Sequence, residues 1–167
     1  MTQPRIPILL DTDIGSDIDD AVTLAYLLSQ PRCDLLGITT VTGDTQTRSG
    51  IADILCRIAG RAAIPIHAGR GGVLLEGLGQ PGIDHGWALD HYPHRSSYPA
   101  DALDFLRDTI RRRPGEITLL CIGPLTNIGA LFAYDPEIPR MLKRLVLMAG
   151  RFRKAGAQAS VANDKWF

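Results

Sequence analysis

Several features are scarce in this sequence, and each scarcity excludes a class of protein. No apolar run approaches the roughly 20 residues that a membrane span requires, so we expect no membrane partner. Formal net charge is zero, with 18 basic and 18 acidic residues, so nothing marks a nucleic-acid partner. Only three cysteines occur, which favours buried free thiols over a disulfide framework. Asp11 interrupts the first apolar run too early for a signal peptide, and we expect a cytoplasmic protein.

Length and patterning favour a single domain in which strands alternate with helices. A chain of 167 residues lies within the range of roughly 100–200 residues typical of one domain. The alternation predicts an α/β fold with a Rossmann-like, mostly parallel sheet flanked by helices. No G-x-G-x-x-G motif follows the first strand, so that dinucleotide fingerprint is absent. Strands are predicted at 6–10, 35–41, 64–68, 117–122 and 145–149, and helices at 19–29, 47–59, 100–112 and 126–134.

The most unusual stretch is DTDIGSDIDD at residues 11–20, which places five carboxylates within ten residues. No Lys or Arg occurs between Arg5 and Arg32. The stretch lies where the first strand passes into the first helix, and ligands of open α/β sheets bind at the carboxyl ends of strands. Crowded like charges raise one another's pKa values or require a cation. We therefore predict a site for a hard divalent cation with oxygen ligands, calcium or magnesium.

Simpler roles for these acids explain only part of the pattern. Asp17 or Asp19 could be the N-cap of the helix, since Asp is favoured there. One helix start has only about four unpaired amide groups, too few to account for five carboxylates. An EF-hand loop does not fit, because Gly15 falls one place early and Val22 stands where the bidentate Glu belongs.

Three motifs together resemble one enzyme family. They are ILLDTDIGSDIDDAVTLAYLL after residue 7, GITTVTGD at 37–44 and CIGPLTNIGAL at 121–131. The first motif resembles the amino-terminal signature of the inosine-uridine nucleoside hydrolases, and the other two fit the same family. The resemblance implies an amino-terminal part of such a domain over residues 1–150, with a divergent tail at 151–167. The family's second half, with its catalytic His and a further metal-binding Asp, is not recognisable, and Asn163 matches its Glu/Asn segment poorly.

The resemblance also implies a reaction and roles for particular residues. The reaction is calcium-dependent hydrolysis of the N-glycosidic bond of ribonucleosides to free base and ribose. By motif, Asp13 and Asp20 are metal ligands, together with the main-chain carbonyl of Thr126. Asp19 is the general base, and Asp13 also belongs to the substrate-binding set. A ribonucleoside substrate and a homo-oligomeric assembly follow from the same resemblance.

Other polar residues have both a functional and a structural interpretation. Asp44 occupies a position that contacts ribose in the family, although it could instead form an Asx-turn beside Gly43. His85 loosely matches a loop near the substrate, and its alternative is a surface loop. Asp11 is expected to support the acidic loop through hydrogen bonds, and Asn127 to cap a helix or pack. His67 is expected to be structural.

Three hypotheses about function remain open on the sequence. The first is the metal-dependent nucleoside hydrolase, or a fragment of one. The second is a magnesium phosphatase of the haloacid dehalogenase type, which also places Asp-x-Asp after its first strand, as Asp11 and Asp13 do here. The third is a non-catalytic fragment that binds a nucleoside or a metal, and it follows from the missing ligands.

Overall fold

A computed structural model describes residues 4–74 and 82–149 of the chain. Strands and helices alternate over most of this length, as predicted. The elements in chain order are β1 (Ile6–Thr12), α1 (Asp19–Ser29), β2 (Cys33–Thr40), α2 (Thr45–Ile58), β3 (Ile66–Ala68), α3 (Ala88–His91), α4 (Ala102–Arg112), β4 (Thr118–Cys121), α5 (Thr126–Tyr134), α6 (Ile138–Met141) and β5 (Arg144–Leu147).

The five strands form one parallel sheet in the order β3-β2-β1-β4-β5. The chain builds outward from β1 to β3 on one side, then returns to place β4 against the other side of β1. The reversal makes the gap between the ends of β1 and β4 a topological switch point, where open α/β sheets bind ligands. The predicted parallel α/β fold is confirmed, and the acidic stretch lies at this switch point.

Two apolar clusters lie on opposite faces of the sheet because successive strand residues point to opposite sides. Leu10 belongs to the cluster that contains Leu24 and Leu27 of α1, and it packs with residues of α2. Its neighbour Leu9 belongs to the other cluster, which α4 and α5 cover with Leu106 and Leu131. Helices therefore cover both faces, and the central strand β1 is buried in the middle layer.

Several boundaries differ from the predicted ones. Strand β2 begins at Cys33, β3 is limited to Ile66–Ala68, and α2 begins two residues early because Asp44 caps it. The short helices α3 and α6 were not predicted. The predicted tail at 151–167 and residues 75–81 lie outside the described residues.

Two expectations from composition can be compared with the structure. Cys33, Cys56 and Cys121 are all buried and unpaired, which confirms the prediction of free thiols. Within residues 4–74 and 82–149, no helix has the length and apolar character needed to cross a membrane.

Candidate functional site

The acidic loop, defined as residues 13–18 between β1 and α1, separates the carboxylates into two groups. Asp11, Asp13 and Asp20 are 0%, 2% and 5% exposed, whereas Asp17 and Asp19 face solvent. The N-cap of α1 is Ile18, and no side chain caps the helix. The capping interpretation of Asp17 or Asp19 is therefore wrong.

Asp11 supports the site from beneath. Its Oδ1 accepts hydrogen bonds from Thr39 Oγ1 and from Asn127 Nδ2, the latter at 2.8 Å. Its Oδ2 is buried without a hydrogen-bond partner. Burial raises the pKa of Asp11 to about 7, against the opposing effect of these two donors. Asp11 is held by hydrogen bonds as expected, but they join it to β2 and α5, and its support of the acidic loop stays a prediction.

Asn127 links three parts of the sheet edge and does not cap its helix. The side chain is fully buried, and Leu125 occupies the N-cap of α5. Besides Asp11, its Nδ2 donates to the Thr40 carbonyl at 3.0 Å, and its Oδ1 accepts from the Arg70 amide at 2.9 Å. Of the two expected roles of Asn127, capping is wrong and packing is confirmed, because the buried amide is directed inward and pairs polar groups of β1 and β2.

Asp13 and Asp20 form a buried pair of like charges. Burial raises the pKa of Asp20 to about 7, and the negative charge of Asp13 contributes to the increase. A hydrogen bond from Thr12 Oγ1 lowers the pKa but does not outweigh burial. Burial likewise raises the pKa of Asp13, while Arg48 lowers it. Two desolvated carboxylates that repel each other are stabilised by a cation, so the pair suits a hard metal ion.

Asp19 and Asp20 are adjacent in sequence and face different environments. Successive helix residues are rotated by about 100°, which buries Asp20 and leaves Asp19 open to solvent. One carboxylate can therefore hold an ion while its neighbour contacts water.

Thr126 begins α5 and is buried. The turn before it approaches Asp13 closely: a Cβ at Gly123 would lie 2.8 Å from Asp13 N and 2.9 Å from Asp13 Oδ1. The β4–α5 turn and the acidic loop are thus in contact across the switch point.

The donor set is of the right chemical type for calcium, but small. In the part of the chain that the structure describes, no group of three or more His, Cys, Asp or Glu side chains gathers as a metal site. The oxygen donors are the two buried carboxylates and the main chain near Thr126, with the unpartnered Asp11 Oδ2 behind them. Hard cations accept such oxygen ligands, and calcium takes about 6–8 of them.

Sequence reasoning missed Arg48, which supplies positive charge to the acidic loop. This α2 residue is 0% exposed, and its Nη1 donates to the carbonyl groups of Asp13 and Ile14. Arg48 is distant from the loop in sequence, so a search for basic neighbours of the carboxylates could not find it. The available signal was a charged residue on the inward side of an amphipathic helix.

Asp44, a predicted substrate contact, lies at the start of α2. Asp44 is exposed and caps α2, accepting from the Gln46 and Thr47 amides at 3.0 and 3.1 Å and from Thr47 Oγ1 at 2.7 Å. These hydrogen bonds, led by that of the Thr47 hydroxyl, lower the pKa of Asp44. The structure thus favours the turn-type role of Asp44, while its contact with substrate stays a prediction.

His85 lies against the acidic loop through its backbone. Its amide donates to the Gly15 carbonyl at 3.0 Å, and its side chain is half-buried.

His67 lies elsewhere: its Nδ1 is 2.6 Å from Asp101 Oδ1, and its ring stacks on Phe105 at 4.0 Å. The structural interpretation of His67 is confirmed.

Comparison with known proteins points in one direction. A family model described as inosine-uridine preferring nucleoside hydrolase matches residues 8–163, a range that continues beyond residue 150. The non-specific ribonucleoside hydrolase RihC of Escherichia coli is 36% identical over 157 residues, 87% of this chain and 49% of its own length. Uridine nucleosidase 1 of Arabidopsis thaliana is 30% identical over 172 residues, 94% of this chain and 50% of its own.

Solved structures agree with the sequence relatives. A plant nucleoside hydrolase superimposes with a TM-score of 0.73 at 30% identity, covering 89% of this chain and 49% of its own. The chain therefore spans about half the length of the curated relatives and solved structures that it matches.

Proposed function

This chain belongs to the inosine-uridine preferring nucleoside hydrolase family, and we propose that it provides the metal-binding and water-activating part of a ribonucleoside hydrolase site. The products are free base and ribose. The observation that carries the proposal is the burial of Asp13 and Asp20 together at the topological switch point. Two such carboxylates lower the stability of the chain unless a cation accompanies them.

Calcium is the cation that we propose for this site. Asp13, Asp20 and the main-chain carbonyl of Thr126 would hold it. When bound, a divalent cation attracts hydroxyl oxygens and makes water more acidic. The orphaned Oδ2 of Asp11, buried beneath the site, supports a strong positive charge nearby.

The reaction assigns separate tasks to the side chains. The oxygen of a water molecule forms a bond to C1′ of ribose as the bond from C1′ to the base nitrogen breaks, through an oxocarbenium-like state. Asp19 accepts one proton of that water and then releases it to solvent, and the departing base takes up a proton from solvent at its nitrogen. Exposure of Asp19 supports its role, since a general base must reach the water. Asp13, Asp44 and His85 are the proposed substrate contacts.

A second candidate function is metal or nucleoside binding without turnover. It is favoured by the small donor set, because the described residues lack a third acidic ligand or a His beside the pair. The phosphatase hypothesis has lost support, since the family match accounts for both the Asp-x-Asp motif and the later Asp pair.

Calcium titration followed by a nucleoside assay tests the proposal. We expect calcium to bind weakly and to raise the melting temperature of the chain, since a ligand of the native state stabilises it. Asp20→Ala should abolish that shift. With calcium present, release of base from inosine or uridine should be slow, because no group of three or more acidic or His side chains gathers among the described residues.

The matched variants Asp19→Ala and Asp17→Ala then test whether Asp19 is the general base. Asp19→Ala should reduce turnover by about 10²–10⁴-fold while calcium still binds, and Asp17→Ala should have no such effect. Binding without base release would favour the second candidate. The absence of any calcium effect would contradict the hydrolase proposal and the metal-binding form of the second candidate. Turnover equal to that of intact enzymes would overturn the prediction of low activity.

We also propose a cytoplasmic homo-oligomer. Three buried free thiols support a reducing compartment. Sedimentation velocity at several concentrations measures the assembly, and a monomer throughout would contradict this part of the proposal.

A further inference from the structure

Arg48 joins three separate segments at the carboxyl edge of the sheet. Its Nη1 donates to the carbonyl groups of Asp13 and Ile14, the latter at 3.1 Å, and to Ser16 Oγ at 3.0 Å. Its Nε donates to the Thr42 carbonyl at 2.7 Å, and its Nη2 to the Gly82 carbonyl at 3.3 Å. The acidic loop, the turn after β2 and the start of the 82–92 segment are thus held by one guanidinium.

Two of these segments have backbone conformations that need support. Thr42 has a φ of 64°, in the left-handed region that β-branched residues rarely adopt. Its amide donates to the Arg70 carbonyl at 2.8 Å, and its own carbonyl accepts from Arg48. Gly15 has a φ of 115°, and a Cβ there would lie 2.7 Å from Ile51 Cδ1. Strained backbone persists where its surroundings determine it, and such places cluster at functional sites.

The position of Arg48 excludes direct contact with substrate. Its side chain is fully buried, and its named hydrogen bonds go to main-chain carbonyl oxygens and one hydroxyl. A buried guanidinium is stable only when its donors are satisfied. Its five donors form a rigid planar fork, and the ammonium group of Lys cannot reach several segments in this way.

We propose that Arg48 is a positioning residue that fixes the Asp13 carboxylate at the sheet edge by binding main-chain carbonyl groups of the acidic loop, the Thr42 turn and Gly82. The proposal rests on the proposed function, because Asp13 is one of its calcium ligands. Arg48 acts on the ion only through the backbone of Asp13 and Ile14. The distance between the Asp13 and Asp20 carboxylates then depends on a residue of a different helix.

The test compares calcium affinity in Arg48→Lys and wild type, by calorimetry well below both melting temperatures. We expect Arg48→Lys to bind calcium about 10–100-fold more weakly, the usual effect of removing a group that orients a ligand. The control is Arg57→Lys on the same helix, whose Nε pairs with Asp53 at 2.9 Å away from the loop. It should bind calcium as wild type does. Equal affinities of Arg48→Lys and wild type would overturn the proposal, since charge alone would then suffice.

Amide hydrogen exchange gives a second readout that needs no metal. The His85 amide, bonded to the Gly15 carbonyl, should exchange faster in Arg48→Lys, while the amides of α1 should keep their protection. If wild type binds no calcium, the proposed function fails, and exchange alone decides the role of Arg48. Unchanged exchange at His85 would then overturn it.

Ser16→Ala is the alternative if Arg48→Lys does not fold. It removes the hydroxyl that accepts from Arg48 and donates to the Gly82 carbonyl at 2.8 Å. Faster exchange at His85 with weaker calcium binding is expected, and wild-type behaviour in both measurements would contradict the proposal.

Discussion

A buried carboxylate that must ionise at neutral pH lowers the stability of the protein around it, and Asp20 is such a group. Burial raises its pKa from 3.8 to about 7. The folded chain therefore holds a proton between about pH 4 and pH 7 that the unfolded chain releases. The contribution of this proton to the free energy of unfolding is fully present below pH 4 and is lost as pH rises through 7.

From this we predict that the calcium-free chain becomes less stable as pH rises from 4 to 8. The loss due to Asp20 is up to roughly 4 kcal/mol in free energy of unfolding. Asp20→Asn should remove the share of the dependence that is due to Asp20, because an amide does not titrate. The share due to Asp11 remains, since burial raises its pKa to about 7 as well. Urea unfolding at each pH measures the free energy of unfolding. The control is Asp17→Asn at an exposed position, which should keep the wild-type slope of stability against pH. A slope unchanged by Asp20→Asn would refute the assignment.

The same pKa predicts that calcium binding strengthens as pH rises from 6 to 8. Protons compete with the ion for Asp20, and calcium should release protons on binding. Calorimetry in two buffers of different ionisation enthalpy measures the released protons. Binding that is independent of pH would show that Asp20 is not a ligand.

At the scale of elements, Asp53 joins helix α2 to residues 95–98. The carboxylate is fully buried and accepts from Arg57 Nε at 2.9 Å, the Arg95 amide at 2.8 Å and Tyr98 OH at 3.2 Å. Burial raises the pKa of Asp53, but the hydrogen bonds from Arg95 and Arg57 outweigh burial and lower it to about 2. Helix α2 therefore makes two separate sets of contacts: Arg48 near its start bonds to the acidic loop, and Asp53 in its middle bonds to Arg95 and Tyr98.

We predict that Asp53→Asn lowers the free energy of unfolding at pH 7 by about 2–4 kcal/mol, because two arginines lose a buried charged partner. The difference should shrink as pH falls from about 4 to 2, where wild type loses the same contribution. Denaturant titration measures both. Asp104→Asn, which breaks the exposed pair with Arg107, is the control and should cost less than about 1 kcal/mol. An equal loss in free energy of unfolding for the two variants would contradict the proposed role of Asp53.

The turn between β4 and α5 provides another prediction. Gly123→Ala would put a Cβ 2.9 Å from Asp13 Oδ1 and 2.9 Å from Val41 Cγ1. We expect about 1–3 kcal/mol of destabilisation and weaker calcium binding, because Asp13 must move. Gly72→Ala is the control, since a Cβ there meets nothing within 4 Å. Wild-type calcium affinity in Gly123→Ala would show that Asp13 tolerates the displacement.

At the scale of the whole molecule, β5 is an edge strand with exposed apolar side chains. Leu145, Val146, Leu147 and Met148 are 40–44% exposed, and β5 is the last strand of the sheet among residues 4–74 and 82–149. Unpaired edges of this kind bind other chains. Contiguous apolar surface of this kind marks interaction sites.

Val146→Lys should therefore reduce concentration-dependent self-association, as measured by sedimentation velocity. Ile58→Lys is the control, since Ile58 is an exposed apolar residue at the end of α2, away from the edge strand. Equal association of wild type and Val146→Lys would show that β5 is not the contact.

Local pattern was a good guide where a residue's environment depends on its own element. The parallel sheet followed from alternating strands and helices, and the burial of Leu9 and Leu10 from an apolar run. Pattern was weaker at helix ends: Ile58 follows Ile51 and Ile54 at helical spacing, which predicts burial, but it is 68% exposed because it is the last residue of α2. Helical periodicity gives a direction, and the neighbouring elements decide whether anything covers it.

What the sequence by itself determined is the position of the acids: five carboxylates after a buried strand must gather at the carboxyl edge of the sheet. The strand and its loop are continuous in the chain, so no distant contact is needed. Only the tertiary structure decided which acids are buried and what supports them. Arg48 and Asn127 reach the acidic stretch through folding alone, because their partners are distant in sequence and hydrogen bonds form only between groups that the packed core brings together.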